Sequence, residues 1–167
     1  MKKIITILFL ISYINFNAQT IWKSSKYNYT IEIPKSFTKS ISIGANVDFK
    51  ANNGINSIVI VVTSIPTNYS SVAIWDILGD LKQYQTEWET SQREILNNPK
   101  MIKYGKTTIQ GLDTFWYDFT TDDNILYSKT YQIKKNNRIY TITLSCSVKD
   151  YNEYSSIWFR FKDKLII

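Results

Sequence analysis

The sequence predicts an α+β domain, an antiparallel β-sheet flanked by two helices in the order βββ-α-ββββ-α. Short segments with period-two alternation occur on both sides of residues 70–97, where the apolar spacing becomes helical. A second helical, aromatic segment closes the chain from residue 150. Because the strands come in runs separated by helices, we expect an antiparallel sheet with packed helices.

The first 18 residues have the three parts of a secretory signal. Lys2 and Lys3 are a positive start, residues 4–14 are uncharged and mostly apolar, and the small Ala18 follows. We predict cleavage after Ala18, which leaves residues 19–167 as a single domain.

Retention in the membrane is not expected. The apolar leader is shorter than the roughly 20 residues that cross a bilayer, and no later segment is long and apolar enough. The only cysteine is Cys146, so the region after the leader has no site for a lipid anchor. The sequence therefore predicts a periplasmic or secreted protein with no transmembrane segment in the mature chain.

The charge of the chain is mildly positive. Removing Lys2 and Lys3 from the formal net charge of +6 leaves +4, because residues 1–18 contain no acid. This surplus is far from a nucleic-acid footprint, so we expect no nucleic-acid partner. It favours weak contact with anionic surfaces such as lipid headgroups.

Three strands are predicted before the first helix. Residues 29–33 alternate and end at Pro34, which cannot donate to a β-ladder. Residues 47–50 form a weaker strand. Residues 57–62 are almost all β-branched and apolar, which predicts a central strand covered on both faces.

A long helix is predicted over residues 70–97, capped by Ser70 or Ser71. Gly79 lies inside it and could divide it into two shorter helices. Its apolar stripe consists of Ile74, Ile77, Leu78, Leu81, Tyr84, Trp88 and Ile95.

Period-two alternation then returns. The predicted strands are 102–109, 112–120, 127–133 and 140–147, with turns at 110–111 and 136–137. A final helix begins near Asp150. Its apolar side consists of Tyr151, Tyr154, Ile157, Trp158, Phe161 and Leu165.

This order of motifs resembles the PsbP-like family, whose relatives include the DcrB-like envelope proteins. The likeness is carried by residues 29–34 followed by Phe37, by 109–112 before an aromatic strand, by 138–143, and by the aromatic helix 154–161. The resemblance implies a PsbP-like α/β/α sandwich and proteins that mostly bind other macromolecules. Some photosynthetic members are linked to metal ions through histidine and carboxylates, and this chain has no histidine. No metal site is therefore carried over.

The absence of histidine removes the Ser-His-Asp and Cys-His arrangements as well as zinc sites that need histidine. Cys146 alternates with polar residues beside Leu144, which predicts a buried, inert thiol. Residues 122–124, Asp-Asp-Asn, could hold calcium loosely, but this composition is also ordinary turn chemistry. We expect no catalytic residues, no metal and no cofactor.

Four residues are candidates for partner binding. Trp116 points away from its aromatic neighbours on the same strand, so it either anchors a partner or is covered by a helix. Lys134, Lys135 and Arg138 cluster at a predicted hairpin, as a solvated surface or as a patch for a partner or membrane.

These observations favour an exported, non-catalytic binding or accessory protein of the cell envelope. We expect protein partners and a monomer. The alternatives are a carrier of a lipid or peptide, motivated by the surplus of aromatic residues, and a periplasmic immunity protein.

Overall fold

The computed structural model describes residues 20–44, 46–121 and 125–167. Within these ranges the strands are β1 Thr20–Lys23, β2 Thr30–Ile33, β3 Thr38–Lys39, β4 Val47–Asn53, β5 Asn56–Ser64, β6 Lys100–Ile109, β7 Leu112–Thr120, β8 Leu126–Lys135, β9 Arg138–Ser147 and β10 Leu165–Ile166. The α-helices are α1 Ile74–Leu78, α2 Leu81–Gln92 and α3 Tyr151–Lys164.

The main sheet has seven antiparallel strands in the order β3-β4-β5-β9-β8-β7-β6. Strands β6 to β9 form a meander of consecutive hairpins, and β5 joins this meander to the N-terminal hairpin by pairing with β9. A small antiparallel sheet, β1-β2-β10, brings the two ends of the described chain together.

One face of the main sheet, the α3 face, carries the larger core. The period-two pattern of β9 places Ile142, Leu144 and Cys146 on this face, and all three are buried. Helix α3 covers them with Trp158 and Phe161. The small sheet completes the cover, because Ile31 and Ile33 of β2 belong to the same core.

The opposite face is covered by α1 and α2, which pack over β6, β7 and β8. The helical stretch predicted over 70–97 is divided at Gly79, the option that the sequence left open, while its predicted start and end were wrong. Gly79 has φ +69, a left-handed conformation that ends α1. Asp80 then caps α2 by accepting hydrogen bonds from the Lys82 and Gln83 amides at 3.0 and 2.8 Å. The helix stops at Gln92.

The prediction that β5 is covered on both faces was also wrong. Ile58, Ile60 and Val62 are buried on the α3 face, but Val59 and Val61 are only half-buried on the other. The reason is that α1 and α2 are short and lie over the far end of the sheet. β-branched residues suit a half-buried sheet surface as well as a buried one.

The predicted α+β class with an antiparallel sheet is confirmed, while the order βββ-α-ββββ-α is only roughly right. Additional short strands, β1, β3 and β10, flank the predicted ones. Leu165, predicted on the last helix, begins β10 and pairs with Ile31. Such two- to four-residue strands have too little pattern to be recognised without their partners.

No helix in the described ranges is long and apolar enough to cross a bilayer. The signal at residues 1–18 lies outside the described residues, so the division into a leader and a domain of residues 19–167 stays a prediction.

Candidate functional site

A cleft of about 250 Å³ opens on the α3 face, between helix α3 and strands β7 and β8. Alternation along β7 turns Phe115, Tyr117 and Phe119 towards α1 and α2, and Trp116 and Asp118 towards the cleft side. The cleft is lined by Asp118, Tyr127, Lys129, Tyr151, Ser155 and Trp158.

The polar centre of the cleft is the side chain of Asp118, which is 5% exposed. Lys129, its neighbour across the β7–β8 ladder, donates from Nζ to Oδ1 at 2.7 Å. The Tyr127 hydroxyl donates to Oδ2 at 2.8 Å. A buried carboxylate is costly unless it is paired and hydrogen-bonded, and here each oxygen has a donor. Asp118, Tyr127 and Lys129 are here called the closed group, because the Asp118 carboxylate is paired with both of the other side chains.

The aromatic wall of the cleft is built around Tyr127. Its ring centroid lies 4.3 Å from that of Tyr151 and 6.2 Å from that of Trp158, both on α3. Burial, and then the hydrogen bond and charge of Asp118, raise the pKa of Tyr127 well above its ordinary value. Its hydroxyl therefore remains a donor throughout the physiological pH range.

Trp116 lies at the margin of the cleft and is half-buried. Its indole covers Gly105 of the edge strand β6, where an added Cβ would come within 3.0 Å of three indole atoms. The Lys129 ammonium lies 4.4 Å from the centre of the indole ring, a cation–π contact. The indole thus shields a glycine in the sheet and keeps part of its surface exposed beside the cleft.

The predicted cationic cluster is divided by the structure. Lys134 is 8% exposed, and its Nζ donates to the Ser70 carbonyl at 2.6 Å, so it ties the loop before α1 to the sheet. Lys135 and Arg138 are neighbours across the β8–β9 hairpin and half-buried. Neither lies at the cleft of Trp116. Partner binding by these four residues stays a prediction.

The sequence pointed to Trp116 but missed the closed group formed by Asp118, Tyr127 and Lys129. A signal was present: Asp118 alternates with aromatic residues in a strand predicted to be covered. Its partners could not be identified, because the local pattern of β7 and β8 does not give the register in which the two strands pair. The Asp-Asp-Asn segment at residues 122–124, considered for calcium, lies outside the described residues.

Cys146 is buried as predicted. Burial, and then the charge of Asp150, raise the pKa of its thiol to about 12. Among the described residues, no three or more cysteine, aspartate or glutamate side chains come close enough together to hold a metal ion.

Comparison of the sequence with protein-family models and with curated proteins gives no match. Solved structures are similar in fold. CyanoP, the cyanobacterial PsbP of Synechocystis sp. PCC 6803, gives a TM-score of 0.73 at 13% identity, over 92% of this chain and 95% of that one. LpqN of Mycobacterium tuberculosis, which is involved in cell envelope biogenesis, gives 0.55 at 8% identity, over 92% of each chain.

These likenesses show the fold. The described chain has the PsbP-like architecture that its motifs resemble, which confirms the predicted sandwich. The correspondence with CyanoP extends over nearly the whole of both chains, so the match is to a complete domain and not to a shared hairpin.

Proposed function

We propose that this chain is an exported, non-catalytic accessory protein of the cell envelope. Its protein partner would bind the cleft beside helix α3. The observation that most supports this proposal is the closed group in that cleft. Asp118 is paired there with Tyr127 and Lys129, and aromatic side chains form much of the remaining lining. Such a site offers contact area and a fixed charge pattern for recognition.

The chemistry of the side chains supports a non-catalytic role. A general base must reach the proton that it abstracts, and a cysteine nucleophile must be a thiolate. Asp118 is 5% exposed and held by Tyr127 and Lys129, and the Cys146 thiol is buried with its pKa raised to about 12. The sequence contains no histidine that could activate either.

The size and composition of the cleft favour a macromolecular partner over a small-molecule carrier role. Pockets that enclose small ligands usually measure roughly 300–1,000 Å³, and the cleft measures about 250 Å³. Tryptophan and tyrosine dominate the energetics of protein interfaces. Tyr127 and Tyr151, both half-buried, line the cleft, and the half-buried Trp116 contacts Lys129 of its lining. These rings offer this kind of anchor.

Location can be tested separately from binding. The leader at residues 1–18 supports a place outside the cytoplasm, and so does the fold shared with LpqN, which is involved in cell envelope biogenesis. We expect the mature polypeptide to begin at Gln19 in the periplasmic or extracellular fraction, as read by N-terminal sequencing. Recovery of the uncleaved chain from the cytoplasm would contradict export.

Binding at the cleft can be tested with a photo-crosslinking side chain placed at Ser155, on the cleft wall, or at Ser91, exposed on α2. Both are helical serines, so the two substitutions are matched. We expect a crosslinked protein of defined mass from position 155 and none from position 91. Absence of a crosslink at 155 in correctly located, folded protein would contradict the proposal, as would the same product from both positions.

A further inference from the structure

A second surface lies at one end of the domain, where the turn after β1 meets the tip of the β8–β9 hairpin. Two clefts adjoin here and share Asn28. The first, of about 470 Å³, is lined by the turn and includes Lys23 and Lys26. The second, of about 140 Å³, includes Lys135 and Arg138 from the hairpin. Residues more than 100 positions apart thus form one surface, here called the basic end.

The turn is held in place by its own hydrogen bonds. Ser24 Oγ accepts from the amides of Lys26 and Tyr27 at 3.1 and 3.0 Å, and the Ser24 amide donates to the Tyr29 carbonyl at 2.9 Å. The Tyr140 hydroxyl of β9 donates to the Tyr27 carbonyl at 3.2 Å, which fixes the turn against the hairpin. The basic end is therefore organised in advance of any ligand.

The charge of the basic end is not compensated within the described chain. Lys23, Lys26, Lys135 and Arg138 have no ion-pair partner among the described residues. Among the residues that the structure describes, no acidic side chain lines either cleft. Asp48 interacts instead with Tyr29, where burial and then this carboxylate raise the pKa of the phenol.

Arg138 adds a specific feature. Its guanidinium lies 5.4 Å from the centre of the Tyr27 ring, and its Nε is buried without a hydrogen-bond acceptor among the described residues. A buried donor without an acceptor is unfavourable, and a turn of the Arg138 side chain into the adjoining cleft would let an anion there supply one. The guanidinium fork matches the oxygens of a phosphate group.

We infer that the basic end is a binding site for a phosphate group. The 140 Å³ cleft has room for one such group beside Arg138 and Lys135, and is well below the roughly 300 Å³ of pockets that enclose a whole small ligand. Lys23 and Lys26, which are exposed, face the open 470 Å³ cleft and attract the remainder of a phosphorylated molecule or surface. The phosphate can belong to a lipid headgroup or be free in solution.

The experiment measures binding to two probes at low ionic strength. One is vesicles of phosphatidylglycerol, followed by co-sedimentation, with vesicles of phosphatidylcholine as the comparison, because choline neutralises the phosphate of that headgroup. The other is inorganic phosphate, followed by amide NMR shifts at residues 24–28 and 135–138. Binding to phosphatidylglycerol alone assigns a lipid headgroup, and binding to inorganic phosphate assigns the free ion. Binding to neither probe, or equal binding to both kinds of vesicle, overturns the inference.

Two double variants locate the site. Lys135→Gln with Arg138→Gln removes the cleft cations, and Lys23→Gln with Lys26→Gln removes exposed lysines whose side chains make no hydrogen bond or ion pair within the described residues. Each should weaken vesicle binding roughly thirtyfold, as expected for two cations near an anionic surface.

The matched control is Lys100→Gln with Lys103→Gln, which removes the same charge from exposed positions on β6. An equal loss in the control would show a net-charge effect and overturn the site. Circular dichroism verifies that each variant is folded. The α3 cleft contains none of these residues, so crosslinking at Ser155 remains an independent result.

Discussion

The two faces of the main sheet are built differently, although the same strands supply both. On the α3 face, Ile60, Ile142 and Leu144 are each 0 to 1% exposed beneath α3 and the small sheet. On the opposite face, Val59, Val61 and Thr143 are half-buried, because α1 and α2 cover only β6 to β8. The alternation along a strand determines which residues share a face. The extent of the helices that pack on that face determines how many of those residues are excluded from solvent.

The two faces also differ in the kind of polar groups that they contain. The opposite face contains cross-strand hydroxyl pairs, Ser128 with Ser145 at 2.8 Å and Thr130 with Thr143 at 3.2 Å. Ser128 and Thr130 are each 0% exposed, and hydroxyls that bond to one another tolerate burial at low cost. The α3 face instead contains a charged pair, Asp118 with Lys129, at the border of its core. This ion pair therefore lies on the face where partner binding is proposed.

The largest expected difference between the faces is in the stability that each loses when one of its tryptophans is replaced by alanine. Trp158→Ala removes a side chain that is 3% exposed in the α3 core and should lower the free energy of unfolding by about 4 kcal/mol. Trp88→Ala removes a half-buried ring packed on Tyr117 and Phe119 and should cost about 2 kcal/mol. Guanidinium unfolding followed by circular dichroism measures both. Equal losses would contradict the asymmetry.

The charged pair of the α3 face is tested by Asp118→Asn. The variant leaves Lys129 beside a neutral amide, and we expect a loss of about 2 kcal/mol, below the cost for a fully buried pair because Lys129 keeps 23% of its side-chain surface exposed. The pKa of Tyr127 should also fall, since the carboxylate contributes to its rise after burial.

Asp113→Asn is the matched control for the pair. Asp113 is half-buried on the same strand and makes no side-chain hydrogen bond or ion pair within the described residues, so it should change stability by less than about 0.5 kcal/mol. Urea unfolding at pH 7 and spectrophotometric tyrosine titration are the measurements. An unchanged stability in Asp118→Asn would show that the pair is not structural.

Both faces contain buried tyrosine hydroxyls, so alkaline pH should lower the free energy of unfolding through both of them. Burial raises the pKa of Tyr131 to about 12 on the α3 face and raises the pKa of Tyr117 on the other. The unfolded chain loses these protons near pH 10 while the folded chain keeps them. The contribution of these phenols to stability should therefore be constant below about pH 10 and fall above it, by up to about 1.4 kcal/mol per pH unit for each phenol.

Thermal unfolding between pH 8 and 11.5 measures this alkaline loss. Tyr131→Phe and Tyr117→Phe should each reduce its slope, whereas Tyr69→Phe, at an exposed position, should not. A midpoint that stays constant to pH 11.5 would show that the phenols are accessible to solvent in the folded state.

The smallest expected effect belongs to the uncovered part of the opposite face. Val61→Thr replaces a half-buried residue with one of similar shape and should cost less than about 0.5 kcal/mol. Its neighbour Val62 is 3% exposed on the α3 face, and Val62→Thr should cost about 2 kcal/mol because the added hydroxyl is buried. Similar losses in chemical unfolding would mean that both faces are covered in solution.

The fold and the candidate sites were predictable to different degrees. The hairpin turn at 110–111 was placed correctly, since Gly111 permits the positive φ of +75 that the turn requires. The sequence left open a break at Gly79. The structure has this break, and Asp80 stabilises it by capping the start of α2. The short strands and the Asp118–Lys129 pair were not predicted, because they depend on partners distant in sequence.

The sequence by itself determined the alternation of β9, the amphipathic stripe of α3 and the buried state of Cys146, since each depends on local periodicity. Only the tertiary structure decided which groups the charged side chains contact. It directed Lys134 to the Ser70 carbonyl and placed Lys23 near Arg138 at the basic end. Periodicity gives the direction of a side chain from its own strand, but the group that it meets is set by sheet order and by where loops return.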